Sequence, residues 1–270
     1  MLSEHRKPRQ KKRVHRSGLA RALSKSGYCS RSSASQLVRD GRVRVNGRVV
    51  LDPEKPVTPS EDSIEVDGKK LAPAKKVYLV MNKPRSVVTT AQDEKGRATI
   101  YSLLAESQPW VAPVGRLDKA SEGLLLLTND SEWAARIASP EMHVEKTYHV
   151  QIAAVADEDL IRRLMLGIRT TDRDFLRVKR AAIVRVGKKN SWLEIVLDEG
   201  KNRQIRRLLA AAGIEVLRLI RIAIGPLRLG DLQKGKVRDL TKEEKAALDR
   251  AMRSFDREAT TAKLSSSAKS

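Results

Sequence analysis

Val114-Gly115-Arg116-Leu117-Asp118-Lys119-Ala120-Ser121-Glu122-Gly123-Leu124-Leu125-Leu126-Leu127-Thr128-Asn129-Asp130 is the most informative stretch of the chain. An aspartate in a glycine-flanked loop runs directly into a wholly apolar strand, read over 124–128. That places a carboxylate at the edge of a rigid core, where a preorganised group is useful. Alone, Asp118 reads equally as a loop-capping or salt-bridged residue. Glu122 close by suggests a two-carboxylate glycosidase. Aromatic residues are only 3% of the chain, however, and nothing else points to a sugar cleft, so Glu122 is given a supporting position.

Around this stretch the pattern mixes strands and helices. Strands are expected from 77, beginning Val77-Tyr78-Leu79-Val80-Met81, and over 124–128, 147–152, 176–186, 192–197 and 216–220. Helices are expected over 157–166 and 201–212, with a last one opening at Thr241, where Thr241 and Glu244 have capping-box spacing. In the second helix Ile205, Leu208, Leu209 and Ala212 fall at i, i+3, i+4 and i+7, one buried face. Strands outnumber helices without regular alternation, so the fold class is α+β, with a mixed, mainly antiparallel sheet.

Towards the N-terminus lies a smaller module. Leu19, Ala22 and Leu23 form a helical stripe ending at Gly27; Ala34, Leu37 and Val38 form a second ending at Gly41, and each glycine suits a left-handed cap. Arg42-Val43-Arg44-Val45 then alternates before Asn46-Gly47, a strong hairpin signal. The expected organisation is a disordered basic arm over 1–16, the small module over 17–67, a linker over 68–76, a larger domain over 77–253 and a disordered tail over 254–270. No internal repeat is present.

The 270 residues carry a formal charge of +21, and such a surface attracts polyanions by counterion release. Residues 1–76 hold 19 Lys/Arg against 8 Asp/Glu, net +11, leaving +10 for the rest. Nucleic acid is the expected partner. No uninterrupted apolar run comes near the length of a membrane span, and 1–16 lacks the apolar centre of a signal peptide. The expected location is the cytoplasm, with no membrane partner. Cys29 is the single cysteine, and His5, His15, His143 and His149 lack metal-ligand spacing. No metal and no small-molecule cofactor are expected, and the chain is expected to be a monomer.

Two resemblances follow from quoted residues. Gly27-Tyr28-Cys29-Ser30-Arg31 and Asp40-Gly41-Arg42-Val43-Arg44-Val45-Asn46-Gly47 resemble the S4 (αL-type) RNA-binding domain over roughly 17–70, which implies a basic face for folded RNA, with Arg31, Arg39, Arg42, Arg44 and Arg48 as candidates. The stretch around Asp118 resembles the catalytic motif of the RsuA/RluB-type RNA pseudouridine synthases, which join an S4 domain to a catalytic domain. Asn82-Lys83-Pro84, Glu145-Lys146-Thr147-Tyr148 and Glu199-Gly200-Lys201-Asn202-Arg203-Gln204-Ile205-Arg206-Arg207 agree in order, so the likeness runs from about 17 to 250.

The resemblance implies isomerisation of uridine to pseudouridine in ribosomal RNA, with large-subunit (23S) RNA favoured over small-subunit (16S) RNA. A carboxylate can serve such a reaction as nucleophile or as base, and no redox change or energy donor is needed. Asp118 is then the catalytic residue. Arg116 matches the arginine that assists base flipping, and Tyr148 the aromatic that stacks on uracil. Ile205 lines the uracil pocket and Arg206 pairs with the aspartate. Lys201, Arg203 and Arg207 are left as RNA contacts, and Lys83 and Lys146 either as RNA contacts or as supports of the structure. Two alternatives are a non-catalytic RNA-binding ribosome-assembly factor and a DNA-binding regulator; the latter lacks a recognisable recognition-helix motif.

Overall fold

The computed structural model describes residues 16–72, 75–91, 93, 95–106 and 108–253. The basic arm expected over 1–16, apart from Arg16, and the tail expected over 254–270 lie outside the described residues. The chain divides into two compact units between Lys75 and Lys76.

In the first unit, α1 (Leu19–Lys25) and α2 (Arg31–Arg39) bury Leu19, Ala22, Leu23, Ala34 and Val38 in one core. Ser30 caps α2 by accepting from the Ser33 N–H at 3.0 Å. Gly27 and Gly41 end the two helical segments at φ +77° and +71°. A hairpin joins β1 (Val43–Val45) to β2 (Arg48–Val49) through Asn46 and Gly47, both at positive φ as a type I′ turn requires. The same device recurs at Asp67 and Gly68, which join β3 (Ile64–Val66) to β4 (Lys69–Lys70). The stretch expected as a linker from 68 therefore begins as a strand of this unit. Asp-Gly is itself a hairpin signal, masked in the sequence by the lysines and the single proline, Pro73, that follow.

The second unit holds β5 (Tyr78–Lys83), β6 (Glu122–Thr128), α3 (Ser131–Ala138), β7 (Lys146–Ile152), α4 (Glu158–Leu166), β8 (Arg180–Val186), β9 (Ser191–Leu197), α5 (Gln204–Ala211), β10 (Val216–Ile224) and β11 (Val237–Asp239). A final helix, α6, covers 242–253. The strands lie in the order β8-β9-β7-β10-β6-β5-β11; Ala112–Pro113 and Leu227–Arg228 add short edges to make nine. Every pairing is antiparallel except β10 with β6. This is the mixed, mainly antiparallel α+β sheet expected.

The apolar run of β6 is explained by its central place. Leu124 and Leu126 face one core with Trp133, Ile137, Leu248 and Met252, while Leu125 and Leu127 face another with Leu79, Met81 and Leu117. A strand covered on both faces loses the polar alternation of a half-buried one. A third core packs α4 and α5 on β7, β9 and β10. The capping box forms as expected: the Glu244 N–H donates to Thr241 Oγ1 at 3.1 Å and the Thr241 N–H to Glu244 Oε2 at 2.9 Å.

Four expectations change. The strand expected over 176–186 splits, because Phe175–Leu176 pairs with Ile168–Arg169 while β8 pairs with β9. The one expected over 216–220 continues to Ile224, and α3 and β11 were not expected. α5 begins at Gln204 rather than at 201, because Arg203 takes the left-handed conformation, φ +48°, at its N-cap. The parallel β10–β6 pairing depends on Gly123, where a Cβ would lie 2.3 Å from the Arg221 carbonyl oxygen. That close approach brings β10 beside the end of the Asp118 loop.

Candidate active site

The loop bearing Asp118 is fixed through its own carbonyls. Leu117 O accepts from Thr89 Oγ1 at 2.7 Å and Lys119 O from the Ser86 N–H at 2.8 Å. Ala120 O accepts from Arg206 Nη2 at 3.1 Å. Lys83, fully buried, donates from Nζ to Asp118 O at 3.2 Å, Ser121 O at 2.9 Å and Pro84 O at 3.0 Å. The Ser121 N–H closes a turn on Asp118 O at 2.9 Å. Five consecutive carbonyls are thus held by other parts of the unit, which fixes the backbone that carries the Asp118 carboxylate. Burial pushes Lys83 down to about 8, against the pull of Asp118 and Glu122.

The carboxylate looks into a cleft of about 310 Å³, the small end of the range for small-molecule pockets. Its lining includes Arg116, Asp118, Lys146, Tyr148, Arg203 and Ile205. Arg203 Nη1 lies 3.4 Å from Asp118 Oδ2. Arg116 is exposed at the mouth, Tyr148 is half-buried and Ile205 is buried in the wall. The arrangement offers a fixed carboxylate, an aromatic face, an apolar wall and several cations, which suits a flat polar ring delivered on an anionic chain.

Other residues take positions that differ from expectation. Arg206, expected against Asp118, instead donates to Ala120 O and, at 3.3 Å, to Val216 O. Burial and nearby Arg203 work against its charge, and Asp118 supports it. The later helix start turns Arg206 under the loop and leaves Arg203 as the ion-pair partner. Lys83, read as an RNA contact or a support of the structure, takes the supporting place: it is buried with its donors already engaged. Arg207, also expected on RNA, pairs with Asp172 at 2.5 Å and Asp174 at 2.6 Å. Lys201 lines the cleft and pairs with Glu199 at 3.2 Å. Lys146 lines the cleft rather than the outer surface.

Arg221 was missed. Its signal was a charged residue inside the otherwise apolar 219–224 stretch of β10; it is 5% exposed and lines the cleft. Glu122, buried at 3% exposure, is held by Lys234 at 2.6 Å and Arg218 at 3.2 Å. Burial pushes its pKa up, but these two cations outweigh that and keep its carboxyl below the usual range. It supports β6 and β10 and does not face the cleft lining.

In the first unit Arg31, Arg39, Arg42, Arg44 and Arg48 are all exposed. Arg31 pairs with Glu54 at 3.1 Å and Arg42 is bound bidentately by Asp67 at 2.8 and 2.6 Å. In the hairpin register Arg44 lies opposite Val49 and Arg48 opposite buried Val45, so these two leave opposite faces of the ribbon. The single basic face expected from sequence is thus divided.

Residues 77–211 match the family model described as RNA pseudouridylate synthase, and 17–64 match the S4 domain. The chain is 42% identical over 231 residues to an RNA pseudouridine synthase of Aquifex aeolicus, covering 85% of this chain and 92% of that one. It is 37% identical over 228 residues to ribosomal large subunit pseudouridine synthase B of Bacillus subtilis, covering 84% and 93%. Among solved structures, a pseudouridylate synthase crystal structure superposes with a TM-score of 0.60 at 30% identity, covering 86% of this chain and 99% of that one.

Proposed function

The chain belongs to the RNA pseudouridylate synthase family, and from that premise we propose that it isomerises one uridine of ribosomal RNA, in the large subunit, with Asp118 as the catalytic residue. The observation that carries the reading is the Asp118 carboxylate, held over a cleft by a loop whose carbonyls are all engaged, with Tyr148 and Ile205 on the facing walls. The large-subunit assignment is supported by the name of the Bacillus relative.

The reaction breaks the bond between ribose C1′ and N1 of uracil and forms one between C1′ and C5. C5 loses a proton and N1 gains one, so the net change is an isomerisation. The target must leave its stack, at a cost of roughly a few kcal/mol unless already unpaired. Arg116 at the mouth is suited to hold the gap, and Tyr148 to stack on the extruded ring. Asp118 supplies a carboxylate for attack on the ribose or base, or for removal of a sugar proton. Lys201 and Arg203 suit the flanking phosphates, and the first unit carries further RNA contacts through Arg39, Arg44 and Arg48, which have no acid partner among the described residues. The enzyme acts as a cytoplasmic monomer on this reading.

The test is incubation with large- and small-subunit RNA transcripts followed by pseudouridine mapping. One modified uridine in the large-subunit transcript is expected, with no product from Asp118→Ala. Full product from Asp118→Ala, or none from wild type on either RNA, overturns the reading.

A further inference from the structure

Behind Tyr148 the cleft holds two cations and no anion hydrogen-bonded to either among the described residues. Arg221 is 95% removed from solvent; its Nε donates to Leu124 O at 2.7 Å, while its Nη2 is buried without a partner. Such an orphaned buried donor is costly and calls for an acceptor. Lys146 stands two residues before Tyr148 on β7, hence on the same sheet face, and the register sets Tyr148 directly across from Arg221. Burial pushes Lys146 down to about 8, with Arg221 adding repulsion and Asp198 opposing.

Two cations held together in a part-buried wall lack the group that would make the arrangement favourable. A phosphate is a poor candidate, because the wall beside them is apolar, formed by Leu197, Ile205 and Leu219, and the phosphate-sized cluster of exposed cations lies at the mouth with Arg116, Lys201 and Arg203. A carbonyl oxygen on a flat ring stacked against Tyr148 fits both the charge and the wall.

We propose that Lys146 and Arg221 form a carbonyl-binding subsite for the uracil ring that stabilises the negative charge the base acquires as its bond to ribose breaks. This rests on the uridine-isomerisation reading. When the C1′–N1 bond cleaves, its electron pair stays with the base and spreads onto the ring carbonyls. Donors aimed there act more strongly in the transition state than in the bound substrate. The charge is withdrawn again when C5 bonds to C1′ and loses its proton while N1 gains one. Lys146 is in this sense a catalytic residue, and Arg221 both binds the ring and anchors to β6 through Leu124 O.

The experiment separates rate from affinity, using the full chain and an RNA that wild type modifies. Lys146→Gln keeps a donor and removes the charge. Its single-turnover rate at saturating RNA should fall about tenfold, short of the roughly 100-fold lost with a whole donor to a developing anion, because only the charge assistance goes. RNA affinity and its salt dependence should stay within twofold of wild type, and Lys146→Arg should recover part of the rate. A saturated rate equal to wild type, with weaker and less salt-dependent binding, would identify a phosphate contact and overturn the subsite. If Lys146→Gln does not fold, Lys146→Met, which keeps the packing of the stem, is judged by the same two readouts. An inactive wild type would instead count against uridine isomerisation itself.

Discussion

Lys83 is bound to the carbonyls of the Asp118 loop and Lys146 lines the cleft, and burial pushes both down to about 8. Behind the loop, Lys83 spends its ammonium on three carbonyls. In front, Lys146 faces the cleft with no hydrogen-bonded partner among the described residues. Two lysines whose values burial lowers alike therefore take different positions. The first belongs to a frame in which the loop carbonyls are engaged without substrate, with Ser86, Thr89 and Arg206, although Arg206 Nε is itself buried without a partner among the described residues; the second lines the cleft with its ammonium unengaged. A pKa alone does not separate the two roles, and the fate of the donors does.

The largest expected effect tests the frame. Lys83→Met leaves Ser121 O and Pro84 O without this donor, and a buried unsatisfied acceptor costs about 1–3 kcal/mol, partly offset by removing a buried charge. A net loss of about 2 kcal/mol in a urea melt is expected. A shift of about 1 Å in the loop can cost on the order of 100-fold in rate, and that loss is expected at saturating RNA. Lys83→Arg should not rescue, because a planar fork does not reproduce a compact ammonium aimed at three carbonyls. If Lys83→Met melts like wild type while Lys146→Met is the destabilised one, the contrast between frame and cleft is wrong.

How far the sequence reached follows the same division. Elements fixed by local chemistry were legible: Gly27 and Gly41 at their helix ends, the Asn46-Gly47 hairpin, the Thr241–Glu244 box and the apolar strand after Asp118. The blocks around Lys83, Asp118, Tyr148 and Ile205 do meet at one place. Which side chain faces which depends on backbone details that the sequence does not state. Moving the start of α5 from 201 to 204 changes which arginine meets the carboxylate, and the change turns on one left-handed residue, Arg203. The parallel pairing that admits Arg221 joins residues about a hundred apart, announced only by Gly123 in an otherwise apolar strand.

Arg203 sharpens the contrast at an intermediate size. A non-glycine residue at φ +48° bears a strain of roughly 1–2 kcal/mol, and its side chain is the one that reaches Asp118. Arg203→Gly relieves the strain while adding chain entropy to the unfolded state, and the half-exposed ion pair is worth little to stability. The free energy of unfolding should move by no more than about 1 kcal/mol, whereas the saturated rate should fall about tenfold, or about 1.4 kcal/mol of barrier. A frame residue would move both readouts together. Equal losses in stability and rate would place Arg203 with Lys83 instead.

The last contrast concerns pH and isolates Lys146, since wild type and Lys146→Met both retain Lys83. The native Lys146 loses its proton near 8, while in the unfolded chain it holds it up to the ordinary value of 10.5. Between those values the unfolded chain binds more protons, so this group adds to stability as pH rises. Below about 8 the charged lysine, set beside Arg221 and only partly offset by Asp198, makes wild type less stable than Lys146→Met. That advantage of the variant should shrink steadily from pH 8 to 10.5 in paired thermal melts. Lys83→Met has the opposite sign at neutral pH, because its carbonyls lose their donor whatever the charge costs. A gap between wild type and Lys146→Met that stays constant with pH would mean that Lys146 is not held charged against its surroundings, and its place as a cation reserved for the substrate would lose its support.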